Sequence, residues 1–486
     1  MGNCIRDTDR RWLNGIVPYR IDDVSADIVA RAINAWEDGD VGVRFVRYTG
    51  PTDPGRAGPH IVFAPGGEGA PCTSKVGRVG VGQRIYCDLR ESRVDTLIHE
   101  IGHALGLQHE HQRFDRGNHV AVIEDNIVAG FRFAFDRLSI DEGLPHGPYD
   151  FDSIMHYPET QFAVDFTVNV DVPGLSTPHP PALALFDDDL HIVVTDGDRN
   201  LQHTWTSDLR SFQTRAVEGQ SSKAAPALAT FDGKLFLVHL GRTSDDVWIS
   251  HSSDGRSFSR NARIAGMTAR TVPGLAGFGR QLHVVWKGAE DKEIRHSRSD
   301  SGRADDWTQP RKINQSTHAG VALTATSRAL HLLHLGNTSQ QIWQSTGDGR
   351  GWTENRTIGQ TSKSAPALAG GASTLHLAHL GESSDEIWHA TGGSIAGANT
   401  NFARNQRTNQ LSRVPPTLAA GRLAGASVVV LGHRGQRSHR VYLSRYMPGL
   451  LSMISLVDGR TGGFGGDVPT SGDLAAVRFM YGRESG

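Results

Sequence analysis

The residues of this sequence best suited to chemistry stand close together and read His99-Glu100-x-x-His103-x-x-Gly106-x-x-His109. Residues four apart lie one turn above each other on a helix, so the imidazoles of His99 and His103 face a common point. Gly106 can adopt the positive φ that ends a helix, which lets His109 turn back as a third ligand. Three imidazoles leave one coordination position for water, as in a catalytic zinc site, and Glu100 can take that water's proton.

A helix must carry the first two histidines, and the residues before them predict where it begins. Ser92-x-x-Asp95 precedes the apolar pair Leu97 and Ile98, which is the pattern of a capping box at a helix N-terminus. Histidines on an apolar helix are often core residues that bind nothing. Here five residue types at five fixed offsets favour a single catalytic zinc ion instead.

The chain around this helix predicts an α+β fold. A helix is expected over residues 25–37, with Ser25 as N-cap and Ile28 or Val29, Ile33 and Trp36 on its buried face. Strands are expected at residues 12–19, 43–48 and 60–64. The Gly-rich residues 73–86 suit an exposed edge strand, which could pair with an extended substrate or be an ordinary edge hairpin.

Composition limits the class of protein. At 486 residues the chain is too long for one ordinary core, so two or more domains are expected. The net charge of -2 favours neither a nucleic-acid partner nor an anionic membrane, and no apolar run is long enough to span a bilayer. The 56 glycines and the scarcity of helical patterns after the first third indicate β structure with many turns.

The sequence has three cysteines. Cys72 and Cys87 flank a short Gly-rich segment and could form a disulfide, which would favour an oxidising compartment. We therefore predict a secreted or extracellular protein, although the chain shows no signal peptide. Cys4 is left over, and its thiolate could occupy the open metal position to keep an enzyme latent.

At this point the sequence resembles the astacin family of zinc endopeptidases, within the metzincins. The family pattern His-Glu-x-x-His-x-x-Gly-x-x-His-Glu-x-x-Arg-x-Asp-Arg matches residues 99–116, and Ser-x-Met-His-Tyr matches residues 153–157. NGIVPY, SKVGRVG, NIVAGF and PYDFDSIMHY match as well, so the resemblance extends over most of residues 10–160.

The resemblance implies roles for three further residues in an enzyme that cleaves proteins or peptides. Met155 would form the Met-turn beneath the zinc. Tyr157 would be a metal ligand that substrate displaces and that then stabilises the tetrahedral oxyanion. Glu110 resembles the family glutamate that orders the mature N-terminus, and the alternative is a solvated acid beside His111.

The sequence departs from the family after the Met-turn. The family's C-terminal helix is expected soon after that turn, but its pattern appears only at residues 470–482. There Thr470-x-x-Asp473 forms a second capping box, and Leu474, Val477 and Tyr481 share one helical face. A long segment has therefore been inserted into the peptidase domain.

The inserted segment consists of six repeats. They begin at Pro181, Pro226, Pro273, Val321, Pro366 and Pro416, at spacings of 45, 47, 48, 45 and 50 residues. Four short strands per repeat at this period indicate a six-bladed β-propeller. The last repeat lacks a fourth strand, which residues 167–181 can supply to close the ring. The predicted layout is a peptidase domain at 1–164 and 447–486, split by a propeller at 165–446.

Two functions remain open for the propeller. His-Leu-Gly recurs at His239, His334 and His379, each followed by a tryptophan at Trp248, Trp343 and Trp388. These residues are either equivalent structural positions or the rims of pockets for sugar or protein ligands. The leading hypothesis is a zinc endopeptidase whose propeller binds substrate or glycan or restricts the cleft. The alternative is a lectin-like or adhesion protein whose peptidase domain is a support.

Overall fold

A computed structural model describes residues 2–48, 58–66, 72–87, 94–371, 374–393, 400–457 and 464–482. The chain forms two compact units. The first unit comprises residues 1–163 and 451–486, and the second, which we call the ring unit, comprises residues 164–450.

The first unit contains short strands and three α-helices among its described residues. Its elements before the ring unit are β1 (Gly2–Ile5), β2 (Ile16–Ile21), α1 (Ala26–Glu37), β3 (Arg44–Arg47), β4 (Ile61–Pro65), β5 (Gln83–Cys87), α2 (Val94–Leu105), β6 (Leu107–Gln108), β7 (Val120–Val122) and β8 (Gly143–His146). The strands β2 to β5 form a parallel sheet in the order β3-β2-β4-β5, and β1 is the middle strand of an antiparallel sheet β6-β1-β8.

The predicted first helix is confirmed. Ser25 caps α1, since its hydroxyl accepts a hydrogen bond from the amide of Ile28. Val29, Ile33 and Trp36 are buried on one face of α1, as the helical spacing predicts, together with Ala32. Ser92, the proposed first residue of the other N-terminal capping box, lies outside the described residues.

Two strand predictions differ from the structure. The strand predicted at residues 12–19 begins only at Ile16, because Asn14 and Gly15 have φ of 55° and 68° and form a turn. Within residues 73–86 only β5 is a strand, at the edge of the parallel sheet, and Thr73 forms a single bridge to Tyr86. Glycines with positive φ interrupt the extended backbone between them, at positions 77, 80 and 82.

Cys72 and Cys87 form the predicted disulfide, with their Cα atoms 4.3 Å apart.

After the ring unit the chain forms β33 (Met453–Ser455) and α3 (Ser471–Tyr481). The capping box that begins α3 is confirmed, because Thr470 and Asp473 bond reciprocally to each other's backbone amides. None of the described helices is both long and apolar enough to cross a bilayer.

The ring unit is entirely β structure. Its strands up to the third sheet are β9 (Val170–Ser176), β10 (Ala182–Phe186), β11 (Asp189–Thr195), β12 (Asn200–Thr206), β13 (Gln213–Ser221), β14 (Ala227–Phe231), β15 (Lys234–Leu240), β16 (Asp246–Ser252), β17 (Ala262–Thr268), β18 (Gly274–Phe278), β19 (Gln281–Lys287), β20 (Glu293–Ser299) and β21 (Arg311–Ser316). The remaining strands are β22 (Val321–Ala325), β23 (Leu330–Leu335), β24 (Gln341–Gly347), β25 (Arg356–Thr361), β26 (Ala367–Gly370), β27 (Thr374–Leu380), β28 (Glu386–Gly393), β29 (Phe402–Leu411), β30 (Thr417–Leu423), β31 (Ala426–Arg434) and β32 (Arg440–Arg445).

These strands form six antiparallel sheets of four strands each. Five sheets use consecutive strands, and the sixth has the order β30-β31-β32-β9. The prediction that residues 167–181 complete the last sheet is confirmed by the pairing of β9 with β32. The first strand of each sheet contacts the first strands of its two neighbours, and β10 contacts β30, so the sheets close on themselves. A central cavity of about 180 Å³ is lined by these six strands.

Three hydrogen-bonded histidine pairs lie buried at equivalent places in the first, third and fifth sheets. The pairs are His191 with His203, His283 with His296, and His376 with His389, with ring nitrogens 3.0, 3.0 and 3.1 Å apart. Loss of water contact lowers the pKa of all six imidazoles, because burial disfavours the charged form. At neutral pH each pair is therefore uncharged.

Candidate metal centre

The helix α2 positions two of the three predicted histidine ligands. Its apolar side chains anchor it in the core, where Leu97, Ile98 and Ile101 are at most 3% exposed. Trp36 of α1 also donates a hydrogen bond from its indole Nε1 to the carbonyl oxygen of Ile98 at 3.0 Å. A helix held in this way fixes the direction in which its remaining face presents His99 and His103.

Gly106 ends this helix as predicted. Its φ is 105°, and a Cβ at this position would lie 3.0 Å from side-chain carbons of Ile5. Glycine is therefore required both by the backbone conformation and by the close approach of β1. Beyond it, β6 pairs with β1, and the chain turns so that His109 faces the helix.

The three predicted histidines meet at their Nε2 atoms. The Nε2 of His109 lies 3.2 Å from the Nε2 of both His99 and His103. A metal ion needs several His, Cys, Asp or Glu side chains close together. Among the described residues, these three histidines are the one group of three or more that could hold a metal ion. The structure therefore brings together all three members of the tripod.

The opposite ring nitrogens have partners that fix the tautomers. The Nδ1 atoms of His99, His103 and His109 lie 2.6, 2.8 and 3.0 Å from the Ile154 carbonyl, the Leu107 carbonyl and the Gln112 side-chain oxygen. Each oxygen accepts a hydrogen bond from Nδ1–H, so the proton stays on Nδ1 and the Nε2 lone pair is directed at the common point.

Burial keeps these imidazoles in the form that binds metal. Desolvation lowers the pKa of His99, lowers that of His103 to about 3, and lowers that of His109 well below its ordinary value. Neutral imidazole is the metal-binding form, so all three are available as ligands at neutral pH. Three neutral nitrogens with fixed tautomers fit one zinc ion.

Glu100 lies beside the first ligand and is only 6% exposed. Burial raises the pKa of its carboxyl to about 7. A carboxylate with a pKa near neutrality can both accept and return a proton, as a general base in hydrolysis must.

Comparison with known proteins identifies the part of the chain that carries this centre. Residues 4–174 match the family model named "Astacin", which describes a peptidase family. This part of the chain is an astacin domain. The dorsal-ventral patterning protein tolloid of Drosophila melanogaster is 35% identical over 161 residues, which cover 32% of this chain and 14% of tolloid. Zinc metalloproteinase nas-6 of Caenorhabditis elegans is 30% identical over 166 residues, 33% of this chain and 45% of nas-6. The chain thus spans less than half the length of these curated relatives.

A solved structure matches as well. High choriolytic enzyme 1, a hatching enzyme zinc-protease of Oryzias latipes, covers 32% of this chain with 28% identity and a TM-score of 0.27. The match extends over 74% of that protein's chain.

Tyr157 lies at the metal centre of the astacin domain. Its ring centroid is 4.4 Å from that of His109, and it stacks on His111 at 4.2 Å. Burial, and to a lesser extent the charge of Glu100, raises the pKa of the phenol to about 12. The phenol therefore remains protonated at neutral pH and can donate a hydrogen bond.

Met155 lies against α2 in the core of the astacin domain and is 2% exposed. A Cβ added at Gly102 would be 2.7 Å from its sulfur, so the helix and this side chain touch at the glycine. The backbone on either side also holds the centre. The carbonyl of Ile154 accepts from His99, and that of Met155 accepts from the amide of Glu110 at 3.0 Å.

Asp473 of α3 supports this turn and was not predicted to do so. Its carboxylate accepts hydrogen bonds from the hydroxyl of Ser153 at 2.5 Å and from the amide of Ile154 at 3.1 Å. The capping box at Thr470 predicts the helix, but no local pattern indicates that the same carboxylate reaches a turn 320 residues earlier in the chain.

Glu110 is fully buried, so its interpretation as a solvated acid is wrong. Its Oε1 accepts hydrogen bonds from Arg113 at 2.9 Å and from the amide of Asp150 at 3.0 Å. The other proposed role, ordering of a mature N-terminus, stays a prediction.

The hypothesis that Cys4 occupies the open metal position is contradicted. Cys4 lies on β1, where its Cα pairs with that of Leu107, and it is fully buried in the hydrophobic core. Its sulfur is not part of the ligand group, and burial raises the pKa of the thiol to about 12. A thiol that stays protonated in an apolar core is a poor metal ligand.

The repeated histidines of the ring unit are structural. His239, His334 and His379 are at most 2% exposed, and each Nδ1 contacts the carbonyl of the following leucine. Each Nε2 contacts an amide side chain, from Asn261, Gln315 and Asn405 respectively. With both nitrogens occupied, these imidazoles do not form pocket rims.

Proposed function

We propose that this chain is a zinc-dependent endopeptidase that binds one catalytic ion and hydrolyses protein or peptide substrates. The observation that carries the proposal is the convergence of three neutral histidine nitrogens beside a buried carboxylate of raised pKa. The metal ligands are His99, His103 and His109, with Tyr157 as a fourth ligand that leaves when substrate binds.

Zinc bound at this centre supplies a Lewis acid that acidifies water and polarises a carbonyl group. The side chain of Glu100 accepts the proton released during attack on the scissile carbonyl and returns it to the leaving amine. The protonated phenol of Tyr157 then donates a hydrogen bond to the oxyanion of the tetrahedral intermediate. Met155 and its turn keep α2 and His99 in place beneath the reacting atoms.

Glu100→Gln tests this assignment because it keeps the shape of the side chain and removes the base. The variant is expected to bind one zinc ion as the unchanged chain does and to lose at least about a hundredfold in the rate of peptide cleavage. Glu124→Gln is the matched control, since Glu124 is an exposed glutamate of the same domain. Cleavage that persists in Glu100→Gln, or that a zinc chelator does not abolish in the unchanged chain, would refute the mechanism.

We also propose that the ring unit is a six-bladed β-propeller inserted into the peptidase domain. The proposed layout is 1–164 and 447–486 for the peptidase domain and 165–446 for the propeller. The two ends of the ring unit lie side by side, which supports an insertion. Phe166 forms a β-bridge with Tyr446, and the amide of Thr167 donates a hydrogen bond to the carbonyl of Arg445. A closed ring whose two ends adjoin can be inserted into another domain with little disturbance.

The propeller is proposed to bind glycan, in a protein that acts outside the cell. The cavity between its second and third sheets supports a binding role, and the disulfide between Cys72 and Cys87 supports the oxidising compartment. In the alternative function, a lectin-like or adhesion protein, the peptidase domain would be inactive. The chelator and Glu100→Gln experiments separate the two functions, since only the endopeptidase loses an activity in them.

A further inference from the structure

Neighbouring sheets of the ring unit join through one repeated contact. The turn after the third strand of one sheet lies over the second strand of the sheet before it. A Cβ at Gly255, Gly302 or Gly349 would lie 2.9, 2.4 or 3.2 Å from ring atoms of His191, Phe236 or His283, respectively. An arginine follows each glycine, so Arg256, Arg303 and Arg350 occupy equivalent places.

The first of these junctions contains its own carboxylate. Arg256 of the second sheet forms an ion pair with Asp189 of the first sheet at 2.5 Å. Its guanidinium lies 4.9 Å from the ring centroid of Trp205. The side chain of Asp189 is only 13% exposed. In this junction the carboxylate of Asp189, at the start of β11, therefore lies against the guanidinium of Arg256.

The second junction has the opposite charge at the corresponding position. Lys234 is the first residue of β15, and Asp189 is the first residue of β11, so the two positions are equivalent. The strand pairing has the same register, because Phe236 lies opposite His251 as His191 lies opposite Trp205. The second junction therefore has the ammonium group of Lys234 where the first has the carboxylate of Asp189. Arg303, the equivalent of Arg256, lines the same cavity as Lys234.

A cavity of about 670 Å³ opens at this second junction. Lys234, His251, Arg260 and Arg303 line it, together with small apolar side chains such as Ala262 and Ala304. Asp305 is the acid in the lining, and it pairs with Arg303 at 3.1 Å where both side chains are more than 70% exposed. No described residue forms an ion pair with Lys234 or Arg260. The cavity thus carries two cationic side chains without an ion-pair partner in the part of the chain that the structure describes.

We propose that this cavity binds the carboxylate of an acidic sugar residue, between Lys234 and Arg260. The bound carboxylate would supply the charge that Asp189 supplies in the first junction. The volume suits one or two sugar residues, since small-molecule pockets measure about 300–1,000 Å³. A compact sugar fits better than an extended acidic peptide, because the lining comes from several short segments of two sheets and not from one continuous strand edge. The inference rests on the proposed glycan-binding role and is independent of the zinc chemistry.

Calorimetric titration of the full-length chain with 3′-sialyllactose tests the site, with lactose as the neutral reference. Binding of sialyllactose but not lactose is expected. Lys234→Gln should weaken it at least about tenfold, because a hydrogen bond between charged groups is lost. Lys234→Asp should abolish it, since the new carboxylate can pair with Arg303 and repels the ligand. The matched control is Lys292→Gln, which removes an exposed lysine outside the cavity.

Each alternative has a distinct result. Equal binding of a sulfated lactose would overturn the assignment of a carboxylate ligand, and stronger binding of an acetylated acidic peptide would overturn the assignment of a sugar. Equal losses in Lys234→Gln and Lys292→Gln would indicate general charge attraction and refute the site. Sialyllactose binding that survives both Lys234 variants would leave the glycan role standing and refute this cavity. Absence of binding to the unchanged chain would refute the inference without affecting the zinc proposal, which the Glu100→Gln experiment tests separately.

Discussion

Replacing Asp473 by alanine is expected to weaken the metal centre, although this residue lies about 320 residues after the turn that it holds. The carboxylate of Asp473 is fully buried and accepts hydrogen bonds from Ser153, from the amide of Ile154 and from the amide of Thr470. Ile154 in turn accepts the Nδ1–H of His99. The substitution therefore removes the support of a residue that orients a metal ligand.

The magnitude follows from the groups that lose their partner. The buried amide of Ile154 loses its acceptor, which costs about 1–3 kcal/mol, and the partly buried amide of Thr470 loses a net hydrogen bond of about 0.5–1.5 kcal/mol. This sum counts the two amides alone and leaves out the hydroxyl of Ser153. We therefore expect the free energy of unfolding of the first unit to fall by about 1.5–4.5 kcal/mol. For a domain of this size that corresponds to a decrease in Tm on the order of 10 °C.

The assay is scanning calorimetry of the zinc-loaded full-length chain, together with zinc affinity measured by competition with a chelator. Zinc affinity is expected to fall about 10–100-fold, as is usual when a partner that orients a ligand is disturbed. Asp467→Ala is the matched control, because Asp467 is an exposed aspartate in the segment that precedes α3. If the free energy of unfolding of Asp473→Ala lies within about 0.5 kcal/mol of that of the unchanged chain, and the zinc affinity is also unchanged, the carboxylate does not support the centre.

Two further predictions concern packing and pH. Gly102→Ala would place a Cβ 2.7 Å from the sulfur of Met155 and 3.0 Å from Trp36, so the astacin domain should lose about 1–2 kcal/mol in urea unfolding despite the better helix propensity of alanine. Gly117→Ala, where a Cβ meets its nearest atom at 3.6 Å, should change the stability little, and equal effects of the two would refute the overpacking argument. The ring unit should lose stability in acid, because the pKa values of the histidine pairs are lowered in the folded state. Their stabilising contribution is complete above pH 6.5, the ordinary histidine value, and is lost as the unfolded chain takes up protons below it. The urea midpoint of the ring unit can be measured by tryptophan fluorescence. A midpoint that is the same at pH 7 and pH 4.5 would contradict the predicted loss of stability in acid.

Local patterns predicted the features that depend on neighbours in the sequence. Ser25 and Thr470 cap their helices because a side chain and an amide three residues apart are already within reach. Gly106 ends α2 because the required φ is one that glycine adopts without strain. The pairing of β9 with β32 was predicted from the missing strand of the sixth repeat, since a closed ring removes exposed edges.

Contacts between distant segments could not be predicted in this way. The strand β1 is too short for an alternating pattern, and it becomes the middle of a sheet only because β6 and β8 flank it. Cys4 is a free thiol in the sequence, but its place on β1 removes it from solvent and from the metal ligands. The burial of Glu110 with Arg113 likewise depends on the carbonyls of residues 147 and 148, which bind the same guanidinium.

The sequence by itself determined the proposed set of metal ligands, because helix geometry places His99 and His103 on one face and the glycine at position 106 turns the chain so that His109 meets them. The tertiary structure decided what kind of site this is. Carbonyl and amide oxygens from separate segments select the tautomers, burial keeps the imidazoles neutral and raises the pKa of Glu100, and Tyr157 lies against His109. These properties depend on which segments exclude water from the centre, and only folding brings those segments together.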